Sequence, residues 1–279
     1  MNRRALAATL MTFAGISCRP MINYQSAAGP RFATGLPAQS GAFDTLARMP
    51  ALRVVTLNLK YGRRVERVIY ALQSYGPLRG ADVVMLQEMD APATERIASA
   101  MGMAYVYYPA GVHPRTRRDF GNAILSRWPI TTDEKLMLPH LGRLRHGRRI
   151  ATAATLRVGS VSVRVYSLHL GTPSDITPSK RREQARVVLD DAAAYPFVIV
   201  AGDMNSHGIG KEFRAAGFLW ATEHNSFTTA VFNWDHIFFK GLGCPPRAGA
   251  GVARDTLEMS DHFPVWAIAT IGLSSPNAR

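Results

Sequence analysis

From residue 51 onward the chain is a succession of short apolar runs bounded by polar or turn residues, each about the length of one strand. β-Branched and aromatic content marks such runs at 52–58, 82–87, 104–108, 121–126, 150–158, 161–170, 197–202, 234–239 and 263–270. Two stretches follow a different period. Val65, Val68, Ile69 and Leu72 recur at three and four residues and share one helix face, and Ala185, Val188 and Leu189 do the same within 179–194. Runs 150–158 and 161–170 meet through Gly159 and Ser160 and predict an antiparallel hairpin, whereas strand–helix–strand stretches predict parallel neighbours. The pattern therefore predicts an α/β sandwich of mixed sheets covered by helices.

Residues 18–50 hold neither period and are rich in Pro, Gly, Ala and Ser, as in a linker or tether. A single domain is expected over 51–273, with a short tail at 274–279. The first seventeen residues, "MNRRALAATLMTFAGIS", have the layout of an export signal: Arg3 and Arg4 precede the apolar run Ala5 to Ile16, which is short for a membrane span. Residues 15–18, "GISC", are similar to a bacterial lipobox, in which Cys18 would be acylated, but depart from it at Gly15, where such boxes usually carry Leu. The expected location is outside the cytoplasm: periplasmic, secreted or anchored to a membrane through Cys18. Cys244 is the one other cysteine, so a processed or lipidated chain has no internal disulfide and no Cys-based zinc site.

Composition adds a preference for partners. The chain is 47% hydrophobic and 19% charged, enough apolar material for a packed core, and its net charge of +13 favours anionic ligands. Residues 111–149 hold nine basic residues against Asp119, Asp133 and Glu134, interleaved with His113, His140, His146, Phe120 and Trp128. This texture suits phosphate binding, with Arg115, Arg117, Arg118, Arg148 and Arg149 as candidate contacts, although a solvated basic loop has the same composition.

Several predicted strands end in a residue that a core does not accept. Asn58 follows "LRVVTL", Glu88 follows "DVVMLQ", His169 sits in "VYSLHLG", and Asp203 and Asn205 sit in "VIVAGDMN". Asp235 opens "DHIFF", and Asp261 and His262 precede "FPVWA". Each alone reads as a turn, a cap or a satisfied core histidine. Together they supply hard oxygen ligands for Mg²⁺ or a similar ion, and carboxylates able to hold an imidazole in one tautomer. A metal, an oriented water and an imidazole are the parts of a phosphate-ester hydrolase.

In that order, "TLNLKYG", "VVMLQEMD", "GNAILSRWPI", "VYSLHLGTP", "VAGDMNSHG", "WDHIFF" and "SDHFPVWA" resemble the motifs of the endonuclease/exonuclease/phosphatase superfamily over about residues 51–270. The resemblance implies a four-layer sandwich, two mixed β-sheets packed face to face with helices on the outside. It implies Glu88 as the principal metal ligand, with Asn58 adjoining and Asp261 completing the metal region. Asp203 would orient or deprotonate the attacking water, and Asn205 would hold that water or a phosphoryl oxygen. His169 takes the position of a phosphate-contacting residue, and His262, paired with Asp235, would contact the reacting phosphate. Whether Asp203 or His262 takes the proton stays open. The implied cofactor is Mg²⁺, with Mn²⁺ or Ca²⁺ as alternatives.

Substrate is a separate question, because one scaffold hosts many phosphoesters. "NWDHIFF" lacks the Cys-Asp-Arg signature of inositol polyphosphate 5-phosphatases, which disfavours that branch. A nuclease drawn to polyanions by the 111–149 segment leads; a phospholipid-directed, sphingomyelinase-like phosphodiesterase is the alternative. A catalytically silent module binding nucleic acid or anionic lipid is the reading from another class. A monomer is expected in each case.

Overall fold

The computed structural model describes residues 19–35, 51–254 and 258–271, so the expected export signal, Cys18 and the tail lie outside the described residues. Two mixed sheets stand face to face. In the first, β3 (Ala51–Asn58) runs parallel to β4 (Val83–Met89), and helix α1 (Val65–Ser74) makes the crossover. β4 continues antiparallel to β6 (Asp119–Ser126), which pairs with β5 (Ala104–Val112). On the other side of β3 lie β14 (Val265–Thr270) and β13 (Ala250–Val252). The second sheet runs in the order β11 (Leu219–Trp220), β12 (Asp235–Lys240), β10 (Val198–Asp203), β9 (Val161–His169), β8 (Ile150–Val158) and β7 (Ile130–Met137). Its one parallel pair, β9 with β10, is joined through α3 (Pro178–Ala192).

Alternation along the strands explains the layering. Leu52, Val54, Val83, Met85 and Ile124 face Ala154, Leu156, Val163, Val165, Ile199 and Ile237 in a core between the sheets. Their neighbours Val55, Leu57, Val84 and Leu86 point outward under α1 and α2 (Ala91–Met101). Tyr166, Leu168, Val198, Val200 and Phe238 pack under α3 and the short α4 (Gly210–Ala215). Helices therefore flank a pair of sheets, the four-layer sandwich of the sequence reading.

Part of the expected linker is folded. β1 (Ile22–Asn23) and β2 (Phe32–Thr34) both pair with β5, covering an edge that would otherwise expose unpaired backbone groups. The attachment rests mainly on backbone and polar bonds, with isolated apolar contacts from Met21 and Phe32, so no hydrophobic period announces it. Arg31 makes a two-point ion pair with Asp133 at 2.6 Å, Lys135 Nζ donates to the Gly29 carbonyl at 2.6 Å, and the Tyr24 hydroxyl donates to Asp119 at 2.8 Å.

Candidate active site

Strand register brings the polar strand ends together. His169, Asp203 and Asp235 are lateral partners across β9, β10 and β12, so they form one row at one end of the second sheet. Gly202 makes this close register possible: a Cβ there would overlap the Leu168 carbonyl, and its φ is 151°. Facing the row, Asn58 ends β3, and Glu88 lies at a bulge where the β4–β6 register shifts between Leu86 and Met89. Glu88 has φ 57°, unusual for a residue with a side chain, and the bulge aims its carboxylate into the cleft between the sheets. Below, Gln87 Nε2 donates to Thr56 Oγ1 (3.2 Å) and Ser167 Oγ (3.1 Å), and Asn122 Nδ2 donates to the Ile150 carbonyl at 2.9 Å. These buried bonds lock the two sheet edges at a fixed separation.

Asp235 is fully buried and accepts from Thr228 Oγ1 at 2.6 Å and from His262 Nδ1 at 2.8 Å. Burial opposes a charged imidazole at His262, yet the charge and hydrogen bond of Asp235, with Asp203 and Asp261 nearby, lift its pKa to about 10. His262 is therefore an imidazolium at neutral pH, and its Nε2 lies 3.9 Å from Asp203 Oδ2. Asp203 accepts from the Asn205 backbone N–H at 2.9 Å and from Asn58 Nδ2 at 3.1 Å. Burial pushes its pKa up to about 7, opposed by His262 and reinforced by Asp235. Asn205 has φ 50° and donates from Nδ2 to the Leu170 carbonyl at 3.0 Å, which leaves its side-chain oxygen for a ligand.

His169 lies between two partners: Arg149 Nη1 at 3.0 Å from Nδ1, and Asp203 Oδ2 at 3.4 Å from Nε2. A guanidinium only donates, so Nδ1 accepts and the ring proton lies on Nε2, toward Asp203. Burial, then Arg149 and His262, hold the His169 pKa well below the usual histidine range, so this ring stays neutral. It is buried and reaches Asp203 rather than open cleft, which makes it a positioning residue instead of the expected phosphate contact.

The metal-region residues occupy related but distinct places. Asn58 turns its Nδ2 to both Glu88 Oε1 (3.3 Å) and Asp203 Oδ2, because its Oδ1 accepts the Lys60 backbone N–H at 3.0 Å. It thus steadies two carboxylates through Nδ2, while its Oδ1, which accepts a single N–H, keeps a lone pair beside Glu88. Glu88 is desolvated, which raises its pKa; Arg149 and Asn58 pull it back down. Asp261 is half-exposed and pairs with Lys60 Nζ at 2.7 Å. A desolvated carboxylate open to a cleft with one neutral donor fits a hard divalent cation. Asp203, Asp235 and His262 also offer ligand atoms within 4.8 Å of one another and could hold a metal, but the Asp235–His262 hydrogen bond already occupies one face of that trio.

The endonuclease/exonuclease/phosphatase family model matches residues 55–262, the span that carries every one of these side chains. The chain belongs to this family. A search of curated proteins by sequence gives no match. Among solved structures, the endonuclease/exonuclease/phosphatase from Bacteroides vulgatus is similar at 15% identity and TM-score 0.63, over 80% of this chain and 100% of that one. D. rerio TDP2 in complex with a single-strand DNA product is similar at 18% identity and TM-score 0.58, over 79% and 99%. Sphingomyelinase C from Streptomyces griseocarneus is similar at 21% identity and TM-score 0.56, over 80% and 100%. Members of the endonuclease/exonuclease/phosphatase family are generally phosphoester hydrolases and typically use a divalent metal.

The arginines expected to touch substrate separate. Arg149 enters the centre, between His169 and the face of Phe120. Arg115 lies over the Tyr61 ring at the exposed rim, and Arg117 is exposed beside it. Arg118 instead pairs with Asp90, the N-cap of α2, and Arg148 is half-buried, donating to the Leu138 carbonyl. Both serve the fold, because each has a local partner that a sequence pattern does not reveal. On another side of the centre, a groove of about 1110 Å³ is lined by Thr172, Arg181, Asn205, His207, Phe232 and Trp234, among others. His207, read from sequence as a loop residue, opens a 3₁₀ turn on this groove.

Proposed function

We propose that the protein is a divalent-metal-dependent phosphodiesterase acting on nucleic acid. The observation that carries the reading is the Asp203–His262–Asp235 arrangement beside Glu88 and Arg149. It joins a carboxylate poised near neutral pH, a fixed imidazolium and a desolvated metal-type carboxylate in one cleft. Asp203 holds the attacking water and accepts its proton, since His262 is already protonated by its bond to Asp235. The Asn205 side-chain oxygen fixes that water's orientation. His262 and Arg149 meet the negative charge that grows on the phosphoryl oxygens, the kind of electrostatic stabilisation worth several kcal/mol of barrier. Glu88 and Asp261, steadied by Asn58 and Lys60, would hold Mg²⁺, with Mn²⁺ or Ca²⁺ as substitutes; such an ion polarises the phosphoryl oxygen and lowers the pKa of a bound water.

Nucleic acid is favoured by the exposed arginines at the rim and by the net charge of +13. A second reading, a phospholipid-directed phosphodiesterase, is favoured by one feature: Phe227, Val231 and Phe232 are 55%, 59% and 48% exposed at the groove. Export, and anchoring of Cys18 where the lipobox is processed, are part of either reading. The test sets DNA and sphingomyelin-containing vesicles side by side with the full chain in Mg²⁺. Chelator-sensitive cleavage of DNA alone supports the first reading; turnover of vesicles alone replaces it with the second; a folded protein inactive on both leaves a silent binding module.

A further inference from the structure

One side of the cleft continues outward as a wall of aromatic rings and unpaired guanidinium groups. Phe120 stands 6.1 Å from His169, His113 is 5.5 Å from Phe120, and Tyr61 is 4.5 Å from His113, all measured between ring centroids. Arg149 covers Phe120 at 5.6 Å, Arg145 Nη1 lies 3.1 Å from His113 Nε2, and Arg63 and Arg115 each lie 5.7 Å from the Tyr61 centroid. Elsewhere arginines find carboxylates: Arg31 with Asp133, Arg96 with Glu66, Arg164 with Asp191. Among the described residues, Arg63, Arg115, Arg145 and Arg149 form no ion pair with a carboxylate. Four cations converge; Arg149 is balanced in part by Glu88, while Arg63 and Arg115 lie over the Tyr61 ring and Arg145 rests on His113, none of these three in an ion pair. The field of three of them is visible in His113, whose pKa burial and then Arg145, Arg115 and Arg149 lower to about 4.

We propose that this wall is a second anion subsite, which takes the phosphate next to the scissile one along a single-stranded nucleic-acid backbone. The proposal rests on the reading of the centre as a phosphodiesterase. A single phosphate is already met by His262 and Arg149. Guanidinium groups beyond the centre gain a partner only when a second phosphate follows the first, as in a polynucleotide and not in a one-phosphate lipid headgroup. Arg63 and Arg115 lie over Tyr61 without a carboxylate partner among the described residues, so their N–H groups are available to phosphate oxygens. The exposed apolar residues Phe227, Val231 and Phe232 share none of the wall, so lipid contact does not explain it.

The test uses the full chain and the variants Arg63→Gln and Arg115→Gln, with Arg63→Lys and Arg115→Lys as charge-retaining controls. Binding of oligothymidylate is read by fluorescence anisotropy in chelator across a salt series, and hydrolysis of bis(p-nitrophenyl) phosphate in Mg²⁺ reports the centre alone. Each Gln variant is expected to raise Kd roughly tenfold at low salt. It should also reduce the slope of log K against log salt by about 0.7, while leaving turnover of the small ester unchanged. The Lys variants should keep most of the slope. Unchanged oligothymidylate binding in folded Gln variants overturns the subsite. So does binding to phosphatidylglycerol vesicles that the variants lose while oligothymidylate binding stays. Failure of the wild type to hydrolyse the small ester would instead count against the phosphodiesterase reading, with the binding series still judging the wall.

Discussion

Two ionisable residues of the centre carry opposite burdens. Asp203 is a buried carboxylate whose pKa is raised to about 7, so the fold tolerates it as an anion at a cost. Asp203→Asn removes that burden and should keep or raise the melting temperature, while turnover falls by roughly 10² to 10⁴ because the water loses its base. A variant within tenfold of wild-type rate would remove Asp203 from the chemistry. His262 works the other way. Its folded pKa of about 10 exceeds the ordinary 6.5, so its protonated form contributes stability that is complete below pH 6.5 and lost as pH rises through about 10. In chelator, the stability of wild type relative to Asp235→Asn should therefore shrink across that window, as read by urea unfolding at successive pH values. A difference that is flat from pH 6 to 10.5 would mean that Asp235 does not hold the imidazolium.

At the scale of elements, the parallel neighbours β9 and β10 depend on Gly202, whose backbone stands against the Leu168 carbonyl. Gly202→Ala should destabilise by more than about 2 kcal/mol in thermal or denaturant melts, and a variant as stable as wild type would show that the strands can part without cost. The β1 arm is a second element with consequences for the centre. Asn23 donates to the His146 carbonyl at 2.7 Å and accepts the Arg148 backbone N–H at 2.7 Å, and the Met21 N–H donates to the Arg145 carbonyl at 2.8 Å, so the arm clamps the loop that delivers Arg149. Asn23→Ala should lower kcat several-fold, and much less in an Arg149→Ala background; equal losses in both backgrounds would detach the arm from the site. The nine strands expected from apolar runs rich in β-branched and aromatic residues are all present, because each buries at least one face. β7 escaped that reading: "ITTDEKLM" is an edge strand with polar residues along most of its length. α2 escaped too, although Asp90 caps it and Pro92 stands in its first turn, because its buried face, Ala93, Thr94, Ile97 and Ala98, is mostly small residues with no strong apolar period. The site residues were legible as polar strand ends, whereas the partners that sort them, such as Lys60 for Asp261 and Asp90 for Arg118, are set by packing across distant segments.

The whole molecule joins a basic surface to a cleft built for anionic chemistry. Two sheets locked by Gln87 and Asn122 fix the distance between Glu88 on one side and Asp203 on the other. One side of the cleft is rimmed by arginines and another opens on an apolar-edged groove, so under the proposed function the two sides would meet different parts of a substrate. Association should accordingly weaken steeply with salt for DNA. The proposed function requires that the assembled cleft hydrolyse phosphodiester bonds of nucleic acid with a divalent metal. Its most direct test is nicking of supercoiled plasmid by the full chain in Mg²⁺, with a chelator lane and Asp203→Ala alongside. Relaxed circles that appear with metal and vanish in both controls are the predicted result; intact supercoils with a folded, Mg²⁺-supplied protein, or nicking that survives Asp203→Ala, would contradict it.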